Sequence, residues 1–168
     1  MVKQNIVVYL SLGSNIGNRR DNIISALLII RSSGFICIKK VSSFYITSPV
    51  GRLHQRYFYN AVVEVQTTLN PKELLSFVKY VENTMGRINT TVRWGPRIID
   101  VDILFFGDQI VNSYSLTIPH KEVQNRLFVL IPLCEIAWSL KHPVLKYRIK
   151  DILYEKLLSL KHQKVKIL

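Results

Sequence analysis

Acidic residues are scarce in this chain: eleven Asp and Glu stand against 23 Lys and Arg in 168 residues, for a formal net charge of +12. Such a surplus favours anionic partners, whether nucleic acid, acidic lipid or nucleotide phosphate, without choosing among them. Half of it lies in residues 141–168, where eight Lys and Arg meet only Asp151 and Glu155. A solvated basic surface accounts for that stretch. Cysteine is nearly absent, and Cys37 and Cys134 have neither CxxC nor metal-ligand spacing. Both read better as small core hydrophobes than as a disulfide or a thiolate ligand set. Long apolar runs are missing as well. The longest, Leu127 to Trp138, is too short for a membrane span and contains Pro132 and Glu135. The N-terminus carries one Lys and an apolar run to Gly13 without a cleavage-like stretch. It reads as a first strand rather than a signal peptide, so the cytoplasm is the expected location. With no repeat, low-complexity tract or linker, residues 1–168 are expected to form one domain. The phosphate-loop lysine is lacking too: GSNIGN (13–18) fits neither GxxxxGKS/T nor GxGxxG. It reads as a tight strand-to-helix turn with local caps.

What is present alternates between strand and helix patterns. IVVYLSLG (6–13) reads as a buried strand, followed by a helix with Asn18 as N-cap, Asp21 in its first turn and Gly34 as its stop. FICIKKVSSFYIT (35–47) and YFYNAVVEVQTTL (57–69) are strand-like, joined by the cationic loop SPVGRLHQR. Asn70-Pro71-Lys72-Glu73 supplies an N-cap, a proline at the first helical position and an acid at the third, predicting a helix to Met85 with a stop at Gly86. A strand then follows the loop RINTTVRWGPR (87–97). Beyond it come a short strand at 110–111, a helix around 121–135 and a final amphipathic helix over 147–163. The order β-α-β-β-α-β predicts an α+β, ferredoxin-like (split βαβ) fold: a mainly antiparallel sheet covered by helices in three αβα layers.

The strand after the cationic loop carries the sharpest signal. A period of two puts Asp100 and Asp102 on one face, continued by Leu104 and Phe106, with Ile99, Val101, Ile103 and Phe105 on the other. Two apolar faces predict a central strand with the carboxylates at its rim. By themselves the two acids could form a solvated strand end or pair with nearby arginines. Two oxygen ligands on one face also suit Mg²⁺, which binds through one or two carboxylates and keeps part of its water. Arg87, Arg93 and Arg97 share a loop with no acid, and guanidinium forks match phosphate oxygens. Acids and arginines together make a coherent polyphosphate site. Phe58 and Asn60 share a strand face, and His120 follows Pro119; singly, such an aromatic is more often core than ligand platform, and a lone His is usually structural or simply exposed. An RNA-binding module would need an RNP1-like segment with surface aromatics, which is absent, so no nucleic acid partner is expected; with no apolar run of spanning length, no membrane partner is expected either.

Six segments in order, LSLGSNIGNR, VSSFYITSPVG, Gln55 with Phe58 and Asn60, Glu82 with Gly86-Arg87, RWGPRIIDVDILFFG, and IPH with Arg126, Phe128, Leu130 and Pro132-Leu133, resemble the 6-hydroxymethyl-7,8-dihydropterin pyrophosphokinases of folate biosynthesis. The resemblance implies Mg²⁺-dependent transfer of the β,γ-pyrophosphate of ATP to the pterin hydroxymethyl group, releasing AMP. It implies two Mg²⁺ ions on Asp100 and Asp102, with Arg87 and Arg97 as catalytic-loop arginines and Arg93 and Trp94 closing over the substrates. Phe58 and Phe128 match the pair that sandwiches the pterin, whose edge Asn60 and the backbone around Thr47, Ser48 and Val50 would read, beside Trp94 and Asp100. Glu82, Ile103, Thr117, His120 and Arg126 match ATP-side positions, together with Arg93, Trp94 and Arg97. Lys79, Asn89 and Lys121 depart from the family pattern. A monomer with ATP and the pterin as its partners is expected.

Overall fold

A computed structural model of the chain describes residues 4–50, 54–86 and 95–168. Its elements are β1 (Ile6–Ser14), α1 (Arg19–Ser32), β2 (Ile36–Val41), β3 (Tyr45–Thr47), β4 (Phe58–Thr67), α2 (Pro71–Thr84), β5 (Asp100–Phe106), β6 (Val111–Asn112), β7 (Thr117–Ile118), a 3-10 turn (Val123–Asn125), α3 (Leu127–Ala137), α4 (Ile149–Ser159) and β8 (Val165–Ile167). The main sheet runs β5-β1-β4-β3-β8, with β2 also on β4, and every pair is antiparallel. With β2 and β3 counted as one broken strand, this is the α+β, ferredoxin-like arrangement the element order predicts: β1 and β4 are central and β5 flanks β1.

The helix boundaries follow from local chemistry. Asn18 accepts the Asp21 N–H at the start of α1. At α2 the capping box is complete: Asn70 Oδ1 accepts from Lys72 N and Glu73 N at 3.0 Å, and the Asn70 N–H donates to Glu73 Oε2 at 2.7 Å. Gly86, at φ +80°, takes the left-handed conformation that ends the run. Two cores then make the three layers. On one face Ile23, Ala26 and Ile30 of α1 and Leu74, Val78 and Val81 of α2 meet Val8, Leu10, Leu12, Ala61, Val63 and Val65. On the other, Val129, Leu130 and Leu133 of α3 and Ile149 and Ile152 of α4 meet Tyr9, Val62, Leu104 and Phe105. Each fully buried aliphatic side chain contributes about 1.5–3 kcal/mol of transfer free energy. Among the described residues no helix is long and apolar enough to cross a membrane.

Several local expectations need correction. Residues 35–47 form two strands, because Ser42 interrupts them: its Oγ accepts the Val62 N–H and the Ser43 N–H goes to Glu135. Cys37 is exposed rather than core, since Ile36 takes the inward position on β2. The helix expected near 121–135 begins only at Leu127, after the 3-10 turn. The final helix stops at Ser159, leaving Val165–Ile167 to form β8 against β3. The Asp-bearing strand is not central. Among the described residues β5 pairs in this sheet with β1 alone, and its outer edge is met by Glu82, which accepts the Val101 N–H at 2.8 Å, and by His120, whose N–H donates to Leu104 O at 2.9 Å. Its alternation also breaks. Leu10 pairs with Ile103 but Tyr9 with Phe105, so Leu104 is an extra residue, a bulge. Phe106 therefore joins Val101 and Ile103 in the first core, not the Asp face, while Leu104 and Phe105 both enter the second.

Candidate active site

The floor of the site lies where β1 and β5 run side by side. Gly13 pairs with Asp100 and Ser11 with Asp102, and all four line one open cleft. Because the strand places the two acids two residues apart, their carboxylates share a face and repel. Arg97 Nη1 meets Asp100 Oδ2 at 2.6 Å, whereas Asp102 Oδ2 has Arg126 Nη1 at 3.4 Å and His120 Nε2 at 3.8 Å. Burial, then the Asp100 charge, pushes Asp102 above the usual carboxylate range, against the opposing pull of His120, Arg126 and Lys79. Burial likewise lowers His120, although Asp102 opposes it. His120 Nδ1 accepts the Glu122 N–H at 3.2 Å, so the neutral ring keeps its proton on Nε2, on the Asp102 side.

The cleft has two walls. One is built on β3 and β4, where Thr47 pairs with Phe58, and it presents Thr47, Ser48, Val50, Gln55, Phe58 and Asn60. Asn60 is only 3% exposed, and its Nδ2 donates to Thr47 Oγ1 at 2.7 Å. This needs glycine on the neighbouring strand: a Cβ at Gly13 would sit 2.7 Å from Asn60 Oδ1. The opposite wall is the 3-10 turn and the start of α3, with Glu122, Asn125, Arg126 and Phe128. The Arg126 guanidinium lies 5.6 Å from the centre of the Phe128 ring, within cation–π range. The cleft is thus cationic and acidic at its floor and aromatic on both flanks.

The fold brings together Thr47, Ser48, Val50, Phe58, Asn60, Arg97, Asp100, Asp102, Arg126 and Phe128, with His120 beside Asp102. Three of the expected residues stand apart. Glu82 is buried behind β5, held by Lys79 Nζ at 2.8 Å and the Val101 N–H. The Ile103 side chain lies in the first core, and Thr117 is exposed on β7. Arg87, Arg93 and Trp94 lie outside the described residues. Reasoning from residues alone passed over Asn15. It is 2% exposed, and its Oδ1 accepts the Arg97 N–H at 2.7 Å while its own N–H donates to Arg97 O at 3.1 Å. Its Nδ2 donates to Gln55 Oε1 at 2.9 Å. The GSNIGN turn is therefore more than a local cap, because it holds the backbone of Arg97. The available signal was an Asn inside a glycine-flanked turn, which ordinary capping already explained.

Residues 9–138 match the family of 7,8-dihydro-6-hydroxymethylpterin-pyrophosphokinases (HPPK). The chain belongs to the HPPK family. It is 44% identical over 133 residues to the 2-amino-4-hydroxy-6-hydroxymethyldihydropteridine pyrophosphokinase of Bacillus subtilis, covering 79% of each chain. Against the Haemophilus influenzae protein of the same name it is 39% identical, covering 82% of this chain and 86% of that one. The same HPPK region also occurs inside longer proteins: the bifunctional protein FolKE of Lactococcus lactis subsp. cremoris is 45% identical over 76% of this chain, which spans 36% of its length. Among solved structures, the HPPK-DHPS of Plasmodium falciparum with pterin and p-hydroxybenzoate matches with a TM-score of 0.74 at 20% identity, covering 95% of this chain and 44% of that one. This last likeness is one of fold. The sequence relatives make the chain a pyrophosphokinase of folate synthesis.

Proposed function

We propose that the chain transfers the β,γ-pyrophosphate of ATP to the hydroxymethyl group of 6-hydroxymethyl-7,8-dihydropterin, giving the pterin diphosphate and AMP, with Mg²⁺ on Asp100 and Asp102. The observation that carries this reading is one cleft joining two carboxylates, Arg97 and Arg126 to the aromatic faces of Phe58 and Phe128. A flat heterocycle fits between the two rings, and a polyphosphate fits over the cationic floor. Asn60, held by Thr47, would read the polar edge of the ring, with Ser48 and Val50 also lining the cleft.

The donor set suits Mg²⁺. Two hard oxygen ligands open to the cleft leave coordination positions for water and phosphate, and the repulsion between Asp100 and Asp102, which adds to burial in pushing Asp102 up, is one that a bound cation would relieve. When bound, Mg²⁺ supplies charge neutralisation on the phosphate oxygens; two ions are expected. The protein's own part is positioning, since phosphoryl transfer leaves little covalent work to side chains. Arg97 would neutralise charge on the transferring group, swinging from Asp100 to phosphate, and Arg87 would assist. Arg93 and Trp94 would exclude water over the substrates. Arg126 and the neutral His120 would hold the nucleotide phosphates, with Glu82, Ile103 and Thr117 on the ATP side. Glu82 and Ile103 would act there through the backbone of β5 that they shape. The unit is read as one domain, acting as a cytoplasmic monomer on two small-molecule substrates.

The test is to incubate the protein with ATP, Mg²⁺ and 6-hydroxymethyl-7,8-dihydropterin and to resolve the nucleotides by chromatography. AMP and pterin diphosphate in equal amounts are expected. ADP, or phosphate release that does not need the pterin, would overturn the reading.

A further inference from the structure

The basic C-terminal stretch lies beyond the segment that matches the family, and by sequence it was merely a solvated surface. Its contacts are more specific than that. Gln163 is 7% exposed, although it follows the exposed end of α4. Its Oε1 accepts the Leu127 N–H at 2.9 Å, and its Nε2 donates to Asn125 O at 2.8 Å. The first turn of a helix leaves backbone N–H groups without intrahelical partners, and Arg126 makes no side-chain cap to α3. Gln163 supplies that cap from 36 residues away. The next residue turns to the other wall: the Ser48 N–H donates to Lys164 O and the Lys164 N–H donates to Ser48 Oγ, both at 2.9 Å. Val165 then pairs with Thr47 as β8 begins.

Two consecutive residues thus grip the two walls of the cleft. Gln163 holds the turn and helix start that carry Arg126 and Phe128, and Lys164 holds the end of β3 that faces Phe58 and Asn60. The other end of α3 has its own anchor, where Glu135 accepts from Ser43 N, Ser43 Oγ and Tyr45 Oη. At the cleft end, the bonds from Gln163 and Lys164 link the wall that carries Phe128 to the wall that carries Phe58. We propose that the Gln163–Lys164 strap is a positioning element of the pterin site, setting the gap between the two aromatic rings. The inference rests on the reading of this cleft as the pterin site. It makes Gln163 a positioning residue that acts through Phe128 and touches no substrate.

The test compares Gln163→Ala with the wild-type chain by calorimetric titration of the pterin and, separately, of a non-hydrolysable ATP analogue. The strap predicts that the pterin Kd rises about tenfold while the Kd of the analogue moves less than about twofold. In a Phe128→Ala background the same substitution should leave pterin affinity unchanged, because its effect passes through that ring. Equal weakening of both ligands in step with a lower Tm, or an undiminished effect in the Phe128→Ala background, would overturn the proposal. Should Gln163→Ala fail to fold, Gln163→Glu keeps the acceptor for the Leu127 N–H but sets a carboxylate against Asn125 O. Its pterin Kd should rise as well, and a wild-type value in that variant would overturn the proposal. Failure of the wild-type chain to bind the pterin would instead sink the reading of the cleft, so the two failures are distinguishable.

Discussion

Replacing Gly13 by alanine adds a single methyl group at the back of the cleft, and the structure states what it would strike. The new Cβ would lie 2.7 Å from Asn60 Oδ1, where ordinary contact begins at 3.4 Å. The Asn60 carboxamide must retreat by several tenths of an ångström. It has little freedom to do so, being 3% exposed and tied to Thr47 Oγ1 at 2.7 Å. Breaking that bond costs about 1 kcal/mol, and about 1–3 kcal/mol if a buried partner is left unsatisfied. Replacing glycine by alanine within a strand returns roughly 0.5–1 kcal/mol. The net loss is at most about 2.5 kcal/mol, and each kcal/mol lowers Tm by about 2–4 °C in a chain of this size. Binding should suffer more than stability, because Asn60 is the proposed reader of the pterin edge: a Kd increase of about ten- to a hundredfold corresponds to about 1.4–2.8 kcal/mol. Titration calorimetry with the pterin and a thermal melt measure both quantities. An Asn60→Ala variant is the control, and adding Gly13→Ala to it should do no further harm to pterin binding. Wild-type pterin affinity together with an unchanged Tm in Gly13→Ala would refute the reasoning.

Three other outcomes are expected. Asn15→Ala, which removes the side-chain grip on the Arg97 backbone and on Gln55, should cut the single-turnover rate by about tenfold or more, since misplacing a catalytic group is costly; a wild-type rate would show that Arg97 is positioned without it. Asp102→Asn should abolish turnover yet raise Tm at neutral pH in chelator. The folded pKa of Asp102 is raised, so its charge costs stability once pH exceeds the ordinary value of 3.8. The Tm gap should therefore grow as pH rises through the raised pKa and close below about pH 3.8; a gap independent of pH would contradict this. His142 is 4% exposed, accepts the Val144 and Leu145 N–H groups at Nδ1, and is lowered by burial from 6.5. The unfolded chain binds its proton first, so stability should fall as pH drops below about 6.5. His142→Asn, which keeps a nearby acceptor but cannot titrate, should flatten that acid limb in urea melts, and an unaltered limb would refute the assignment.

The parts legible in the sequence were those governed by local chemistry. Asn70, Pro71 and Glu73 announce α2 because every capping contact is made within four residues. Asp100 and Asp102 share a face because strand alternation is strictly local, and it holds until the Leu104 bulge, whose cause is the pairing with β1. Phe106 was misassigned for that reason. The edge position of β5 was hidden because Glu82 and His120, rather than another strand, cover its outer side, and apolar faces on both sides look the same either way. The site divides similarly. Arg97 and the acids stand close in sequence, but Asn15 lies 82 residues from Arg97, and Gln163 acts across 36 residues from a segment too polar and too short to suggest a strand. Neither has a periodic signal, since each role depends on a partner that only the folded chain brings near.

β5 lies at the border of its sheet. A strand at the border of a sheet exposes unpaired peptide groups onto which another polypeptide can add itself, and proteins that leave such borders open tend to associate through them. Here the Val101 amide is taken by the Glu82 carboxylate and the Leu104 carbonyl by the His120 amide. A second molecule attempting to extend the sheet would have to displace a buried charge as well as a bonded backbone segment. Two peptide groups along that margin are thus already bonded, while the acids stay open to the cleft. The same packing that shapes the cleft therefore makes this border of the sheet a poor template for an added strand.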